Sequence, residues 1–201
     1  HVVAVEIVKA GTWYHSSRIF YEGEKLPFSG LAQIQYQNGQ LMESRQYLEG
    51  ELHGKWSKWK RNGISLFDKA YFRGLKHGSH MYWSGQPRNP TGYQPKDGEN
   101  NFTSLWMEIN EQAKDKFQGN HPSQESNAWA VDAFKSQGGI MEPKLQESWK
   151  MNKLHGVCKG FDSHGEKTFE DEFATGKRIK HKTYDSGTKW KLPNHLSTWA
   201  D

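Results

Sequence analysis

The chain has 201 residues and a mass of 23.2 kDa, a length that suits one domain with a sizeable insertion. Mean hydropathy is −0.97, but 20 glycines, 27 aromatic residues (9 Trp, 8 Tyr and 10 Phe) and only 7 prolines argue against disorder. The net charge of +4 is weak for a nucleic-acid-binding chain, so no nucleic-acid partner is expected. The single Cys158 excludes an intrachain disulfide, and no apolar run is long enough to predict a transmembrane helix.

The first 25 residues precede the repeats described below and favour extended structure. The apolar segment 2–8 predicts a strand, which we expect to add to a sheet edge. The segment Trp13–Tyr21 predicts a second strand. We therefore assign 1–25 to N-terminal strands.

A 24-residue repeat occupies most of the chain. Its glycines are separated by nine and then eleven residues, and an aromatic residue follows each middle glycine by eight positions. The glycine sets are Gly30, Gly39 and Gly50; Gly54, Gly63 and Gly74; and Gly156, Gly165 and Gly176, with the aromatics Tyr47, Tyr71 and Phe173. Asn38-Gly39 and Asn62-Gly63 are Asn-Gly pairs, which predict tight hairpin turns with positive φ at both residues. The repeats therefore predict an elongated antiparallel β-meander.

One copy of the repeat is interrupted. It starts at Gly78 and resumes near Gln146, with Trp149 in the aromatic position and Asn152 in place of the turn glycine. Asn is the substitute that best tolerates positive φ. The interrupting segment, 86–141, predicts two helices, one capped by Thr103 or Ser104 and the other spanning about 122–137. The apolar stripe of the first is Leu105, Ile109, Ala113 and Phe117; we expect the helices to pack together and on one sheet face.

The repeat resembles MORN repeats, in the bacterial variant labelled an antitoxin family. The stretches that carry the resemblance are Tyr36-Gln-Asn-Gly-Gln-Leu41 and Tyr47-Leu-Glu-Gly-Glu-Leu-His-Gly54. It covers about 26–85 and 142–190 and leaves a tail, 191–201. The resemblance implies a β-meander used for protein or membrane contacts, without catalytic residues. The expected fold is mainly β, α+β overall: MORN-like hairpin repeats with a helical insertion.

Candidate chemical residues fit structural roles better than catalysis. His53, His77 and His155 share one repeat position and lie too far apart to bind one ion. Cys158 is in register with Ala32 and Trp56, a position that suits a small core residue. No metal-ligand spacing or phosphate loop is present. We therefore predict no catalytic residues, no metal, no cofactor and no enzymatic activity.

Nine tryptophans are an excess that has two readings. They form a core covered by the insertion, or one set forms an exposed strip of the residue type favoured at interface hot spots. On the second reading, Trp59 and Trp83 stack on one sheet face, five residues after their repeat glycines. The residues predicted to contact a partner are Trp83, Trp106, Trp129, Tyr82 and Trp59.

These features favour a non-enzymatic, bacterial protein-binding module. The leading hypothesis is an antitoxin or immunity protein that occludes the active site of a toxin or secreted effector, such as an antibacterial enzyme. The first alternative is a membrane- or lipid-binding module that uses Lys55, Lys58, Lys60 and Lys69. The second is an enzyme with a site between insertion and sheet, which a pocket with two or more ionisable residues would favour. The chain begins at His1 without Met, which leans toward a periplasmic location, with the cytoplasm as the alternative.

Overall fold

The computed structural model describes residues 5–6, 18–20, 23–90, 104–118, 123–162 and 165–185. Most of these residues belong to one antiparallel sheet. The first eight strands are β1 (Val5–Glu6), β2 (Ile19–Phe20), β3 (Gly30–Gln35), β4 (Leu41–Leu48), β5 (Glu51–Trp59), β6 (Ser65–Phe72), β7 (Leu75–Lys76) and β8 (Gly78–Arg88). The helices α1 (Ser104–Lys116) and α2 (Gln124–Ser136) follow. The last five strands are β9 (Ile140–Lys150), β10 (Lys153–Leu154), β11 (Gly156–Phe161), β12 (Lys167–Ala174) and β13 (Lys177–Thr183).

The predicted meander with a helical insertion is confirmed. The long strands lie in the order β3-β4-β5-β6-β8-β9-β11-β12-β13, and every neighbouring pair is antiparallel. The helices interrupt the chain between β8 and β9, which pair directly from Gly78↔Trp149 to Arg88↔Ile140. The interrupted repeat therefore still forms a hairpin. Its strands extend two residues past 86 on one side and one residue before 141 on the other.

Repeat glycines and repeat aromatics face each other across neighbouring strands. Gly54 lies opposite Tyr71, Gly78 opposite Trp149, and Gly156 opposite Phe173. The first repeat has the same pair, Gly30↔Tyr47. Because directly opposed residues share one face of a sheet, each ring lies beside a position that has no side chain. The 24-residue spacing thus fixes the strand register, because a slip would remove every aromatic residue from its glycine.

The Asn-Gly turns form as predicted at Gly39 and Gly63, but their conformation differs. Only the glycine of each pair has positive φ, +79° at Gly39 and +80° at Gly63. The Gly39 amide donates to the Tyr36 carbonyl at 2.9 Å and the Tyr36 amide to the Gln40 carbonyl at 2.8 Å. This is a type I turn followed by a glycine bulge, and each flanking strand pair shows the matching register shift. The expectation of positive φ at both residues was wrong, because it assumed a two-residue loop.

Two consecutive residues with positive φ occur instead at the return turns. Glu49 (φ 50°) precedes Gly50 (φ 79°), and the same pattern recurs at 73–74 and 175–176. In the interrupted repeat the pair is Met151 (φ 50°) and Asn152 (φ 64°), so Asn152 does take the glycine conformation as predicted. The Asn152 side-chain oxygen also accepts a hydrogen bond from the Lys76 amide at 2.7 Å, which ties this turn to the preceding repeat.

Both predicted helices are present, and their N-terminal caps differ in origin. Ser123 caps α2 locally through a reciprocal hydrogen-bond pair with Ser126. At α1, Thr103 lies outside the described residues and Ser104 is the first helical residue. The cap at α1 comes from Asn89, directly after β8, whose side-chain oxygen accepts from the Leu105 amide at 3.1 Å. This contact explains how the end of a strand fixes the start of a helix fifteen positions later.

The helices pack together, but they lie at the end of the sheet and not over its face. Leu105, Ile109, Ala113, Ala130 and Phe134 form their shared core. Among the described residues, the members of this cluster that come from the sheet side are Ile64, at a hairpin turn, and Met141, at the start of β9. A second cluster lies on the sheet itself and contains Leu145, Leu154, Cys158, Phe169 and Phe173. The predicted packing on a sheet face was therefore wrong, because the insertion leaves and rejoins the sheet at its turn end.

The N-terminal strands form a separate two-stranded unit. β1 pairs with β2 and not with an edge of the large sheet, so the expectation of edge addition was wrong for the described residues. The second predicted strand, 13–21, is described only at 18–20, where β2 forms; the rest lies outside the described residues. β2 is attached through the Ile19 amide, which donates to the Gly50 carbonyl at 3.0 Å.

Candidate binding face of the sheet

One face of the sheet carries a cluster of aromatic rings from four neighbouring strands. We call it the aromatic face and define it by Trp56, Phe67, Tyr71, Tyr82 and Trp149. Cross-strand pairing places Lys58, Phe67, Tyr82 and Leu145 in one row and Arg45, Trp56 and Lys69 in the next. The opposite face has a row of mostly polar residues: Ser44, Ser57, Asp68, Met81, Gln146, Lys159, Glu170 and Lys182. The two faces therefore differ sharply in chemistry, as expected for an antiparallel sheet with distinct sides.

The rings of the aromatic face contact one another across four strands. The Trp56 ring meets the Phe67 ring edge-on at 5.3 Å between centroids and lies 5.8 Å from the Tyr71 ring. The chain of contacts continues from Tyr71 to His80 at 5.6 Å and from His80 to Trp149 at 5.8 Å. Apart from the fully buried His80, these side chains are half-buried. The helices do not cover them, so the reading in which the insertion buries all the tryptophans does not hold for Trp56 and Trp149.

Three cations lie over these rings. The Lys69 ammonium is 4.3 Å from the centroid of Phe67, 5.0 Å from that of Tyr82 and 5.2 Å from that of Trp56. The Lys76 ammonium lies 4.2 Å from the Trp149 centroid, and the Arg45 guanidinium lies 4.7 Å from the Trp56 centroid. All five distances are within the range of cation–π attraction. Lys69 is thus held in a three-ring cage built from strands β5, β6 and β8.

Buried carboxylates lie beneath the rings and orient them. Glu147 is fully buried and accepts hydrogen bonds from the Trp149 indole at 2.9 Å and the Tyr82 hydroxyl at 3.2 Å. Glu43 accepts from the Trp56 indole at 2.5 Å and from Arg45 Nε at 2.6 Å. Each carboxylate therefore fixes two side chains, which reduces the conformational freedom of the face before any partner arrives.

The electrostatics of the face follow from partial burial. Desolvation, together with the nearby Lys76 charge, lowers the pKa of the Lys69 ammonium. Desolvation also lowers the pKa of His80, although its Nε2 lies 2.8 Å from the Ala70 carbonyl. Burial and the neighbouring Glu147 raise the pKa of the Tyr82 hydroxyl, which therefore stays protonated as a donor. The face presents cations above and buried acids below.

The predicted partner-contacting residues occupy different environments. Tyr82 belongs to the aromatic face and bonds to Glu147. Trp83 is half-buried opposite Pro143. Trp106 is only 6% exposed and packs edge-on against Phe134, so it is a core residue of the helix pair. Trp129 is half-buried on the helix pair, where the Lys116 ammonium lies 4.6 Å from its ring. The predicted stacking of Trp59 on Trp83 is replaced by ring contacts among other residues.

Trp59 lines a cavity of about 240 Å³ between α2 and the hairpin turns. Its other lining residues are Gln40, Leu41, Gly63, Ser65, Asn127, Ala128, Val131 and Asp132. Asn127 is almost fully buried and donates to the Gln40 side-chain oxygen at 2.6 Å. Asp132 is the single ionisable residue in this lining. The enzyme alternative called for a pocket with two or more ionisable residues.

Sequence reasoning missed the assembly of the cage around Lys69. Tyr71 and Trp149 were visible as aromatic positions of the repeat, Trp56 was placed in register with Ala32 and Cys158, and Lys69 was assigned to a membrane-facing set with Lys55. Cross-strand pairing places Lys55 opposite Ala70 and Lys69 opposite Trp56. Lys55 and Lys69 therefore lie on opposite faces, since neighbouring residues alternate. Applying the alternation rule to the repeat would have separated the two lysines.

The histidines and the cysteine have structural surroundings. His53 and His77 both lie beside the Phe72 ring, and His155 Nδ1 accepts from the Thr175 amide at 3.3 Å. Cys158 is fully buried, and burial raises the pKa of its thiol to about 11, so it remains an unreactive thiol at neutral pH. No group of three potential metal ligands occurs among the described residues.

Comparisons with known proteins leave the chain without a matching relative. Neither the family models nor the curated proteins nor the solved structures contain a match to it. Within the described part of the chain, no helix has the length and apolar character required to cross a membrane.

Proposed function

We propose that this protein works by binding another protein through the aromatic face, without turnover. In this proposal it is a bacterial antitoxin or immunity protein, of the MORN-repeat kind that its sequence resembles, and it neutralises a toxin or secreted effector by covering its active site. The periplasm is the proposed compartment. The observation that carries the proposal is the ladder of rings from Trp56 to Trp149, half-buried apart from the fully buried His80, and oriented from below by Glu43 and Glu147.

This arrangement has the properties of an interface more than those of a reaction site. Tryptophan, tyrosine and arginine dominate interface hot spots because they combine large contact area with few rotatable bonds. The ring ladder offers all three residue types on one rigid sheet. An antitoxin needs a preorganised surface, because each side chain that must be ordered on binding weakens the complex.

The membrane-binding alternative has one supporting feature, which is the set of cations over the rings. Insertion into a bilayer interface favours rings that project outward with cations at their rim. Here the rings are half-buried and the cations cover their faces. The protein-binding proposal fits this arrangement better. Sedimentation with vesicles of anionic phospholipid separates the two, since the proposal expects the protein to remain in the supernatant.

The direct test begins with capture of the partner from the native organism and with the product of the neighbouring gene. Binding of the purified partner is then measured for Trp56→Ala and Trp149→Ala, after circular dichroism confirms that each variant is folded. We expect each variant to weaken binding by about 2 kcal/mol or more, roughly thirtyfold, and to reduce neutralisation of the partner's activity in parallel.

Two control variants locate the interface. Ser79→Ala changes the opposite face, where Ser79 is exposed and pairs with Ser148, and should leave affinity unchanged. Trp129→Ala probes the helix pair, the other surface that sequence reasoning favoured. Loss of affinity in Trp129→Ala with unchanged affinity in Trp56→Ala and Trp149→Ala would contradict the assignment of binding to the aromatic face.

A further inference from the structure

Some lysines of the described chain pair with a carboxylate, whereas Lys69 and Lys76 on the aromatic face, like Lys116 and Lys182 elsewhere, lie over aromatic rings. On the opposite face Lys55 pairs with Asp68 at 3.1 Å, and on α1 Lys114 pairs with Glu111 at 2.5 Å. Lys69 and Lys76 have aromatic rings as their close neighbours instead. Among the described residues, no carboxylate lies within 4 Å of the ammonium of Lys58, Lys69 or Lys76.

Burial disfavours the charged form of Lys69, and the attraction of the buried Glu147 carboxylate offsets this only in part. Its ammonium is half-buried among three rings, and the Lys76 charge is close enough to lower its pKa further. Two like charges held near each other on a rigid sheet repel, and a carboxylate placed between them would relieve that repulsion. Lys58 lies between Phe67 and Glu43 on the neighbouring strands and extends the same strip toward the hairpin turns.

We propose that this positive strip of Lys58, Lys69 and Lys76 binds an acidic segment of the partner protein, with carboxylates between the lysines and the chain lying along the rings. The inference rests on the proposed function and adds the chemistry of the partner. Carboxylates match ammonium groups in charge, and the rings beneath supply apolar area for the methylene groups of glutamate side chains.

A polypeptide fits this face better than a nucleic acid. Single-stranded nucleic acids bind by stacking bases on free ring faces. On this sheet, the ring of Trp56 is approached by both Arg45 and Lys69, and the ring of Trp149 by Lys76. The rings also contact each other at centroid distances between 5.3 and 6.3 Å in tilted or edge-on geometry, which leaves no open stack. Bases would have to displace these cations first.

The test uses the full chain and a defined probe, an oligoglutamate peptide of about eight residues, a length that would span several strands at about 4.8 Å each. Binding is followed at low salt by NMR of the lysine side chains and by tryptophan fluorescence. We expect the largest chemical-shift changes at Lys69 and Lys76 and a shift of the Lys69 titration to higher pH when the peptide is bound. Lys69→Gln and Lys76→Gln should each weaken binding by tenfold or more.

The matched control is Lys55→Gln, which removes a lysine from β5 on the opposite face and should change affinity less than twofold. The main competitor is β13, where Lys177, Arg178, Lys180 and Lys182 form a basic strand at the other end of the sheet. Shifts centred on β13 would overturn the inference, as would equal affinity of the Lys69→Gln variant. Tighter binding of oligothymidylate than of oligoglutamate at the same lysines would also overturn it.

The purified natural partner then separates this inference from the proposed function. If the partner binds the aromatic face but Lys69→Gln and Lys76→Gln bind as tightly as the original chain and added salt has no effect, the acidic-segment inference fails while the protein-binding proposal stands. If the partner does not depend on Trp56 or Trp149 at all, the proposed function of the face fails first.

Discussion

The two Asn-Gly turns offer a matched pair of substitutions that measures how tightly the helix pair presses on the sheet. Gly39 and Gly63 occupy the same repeat position with φ of +79° and +80°. A side-chain carbon added at Gly39 would meet no atom within 4 Å. At Gly63 it would lie 2.6 Å from Cβ and 3.2 Å from Cγ of Asn127, on α2. The backbone strain of Gly→Ala is thus common to both sites, and the contact with α2 is specific to Gly63.

The magnitudes follow from these contacts. Placing alanine at positive φ costs about 1 kcal/mol, and we expect this loss of unfolding free energy for Gly39→Ala. Gly63→Ala should lose the same amount plus about 1–3 kcal/mol for overpacking against Asn127. Asn127 has little room to move away, because it is 1% exposed and hydrogen-bonded to Gln40.

The assay is urea unfolding monitored by circular dichroism. If the slope of unfolding free energy against urea concentration is the same in each variant, a shift in the midpoint reports a change in stability. If the two variants differ by less than about 0.5 kcal/mol, the contact between α2 and the Gly63 turn does not exist in solution, and the placement of the helices at the turn end is refuted.

Three further predictions concern single residues. Asn152→Ala should lower the free energy of unfolding by about 1–2 kcal/mol, because it places alanine at positive φ and removes the hydrogen bond from the Lys76 amide. Asn152→Gly tolerates the same conformation and should lower it by less, and equal losses in the two variants would argue against the turn. The Cys158 thiol, with its pKa raised to about 11, should react with iodoacetamide at pH 8 only on unfolding, and rapid labelling of the native protein would contradict its burial. The pKa of His80 is lowered in the folded protein, so the unfolded chain binds a proton at this residue first as the pH falls below 6.5. The free energy of unfolding should therefore decrease by up to about 1.4 kcal/mol per pH unit until the folded-state pKa is reached. Urea titrations at a series of pH values should show that His80→Phe removes this slope.

The repeat fold could be predicted because one interaction recurs at a fixed spacing. A glycine opposite an aromatic residue needs a single strand register, so Gly54 with Tyr71 and Gly156 with Phe173 determine the pairing of whole strands. The helices could be predicted from their apolar stripe and the Ser123 cap. Their location could not, because it depends on contacts such as Asn89 with Leu105 and Asn127 with Gln40, which no local pattern indicates.

The binding face was only partly predictable for the same reason. The sequence shows the aromatic residues of each repeat, but the cage around Lys69 joins residues from three strands whose relative offset includes register shifts near the turns. A bulge moves a residue from one face to the other, so Trp59 could not be assigned a face by counting from its repeat glycine. Trp106 was misassigned because tryptophan occurs both on the buried side of a helix and at exposed interface hot spots.

The buried acids of the aromatic face provide the strongest physical argument that the face exists for contact. Glu147 on β9 and Asp171 on β12 are completely buried, where apolar side chains of similar volume would generally give equal or greater stability. Their effect is orientation: Glu147 fixes Tyr82 and Trp149, and Asp171 interacts with Arg178 at 3.4 Å and with His181. Ring contacts across strands contribute to the stability of a sheet whatever its function. Rigid placement of these rings and cations also lowers the entropy lost when a partner docks, so burying charge here is consistent with the proposed binding.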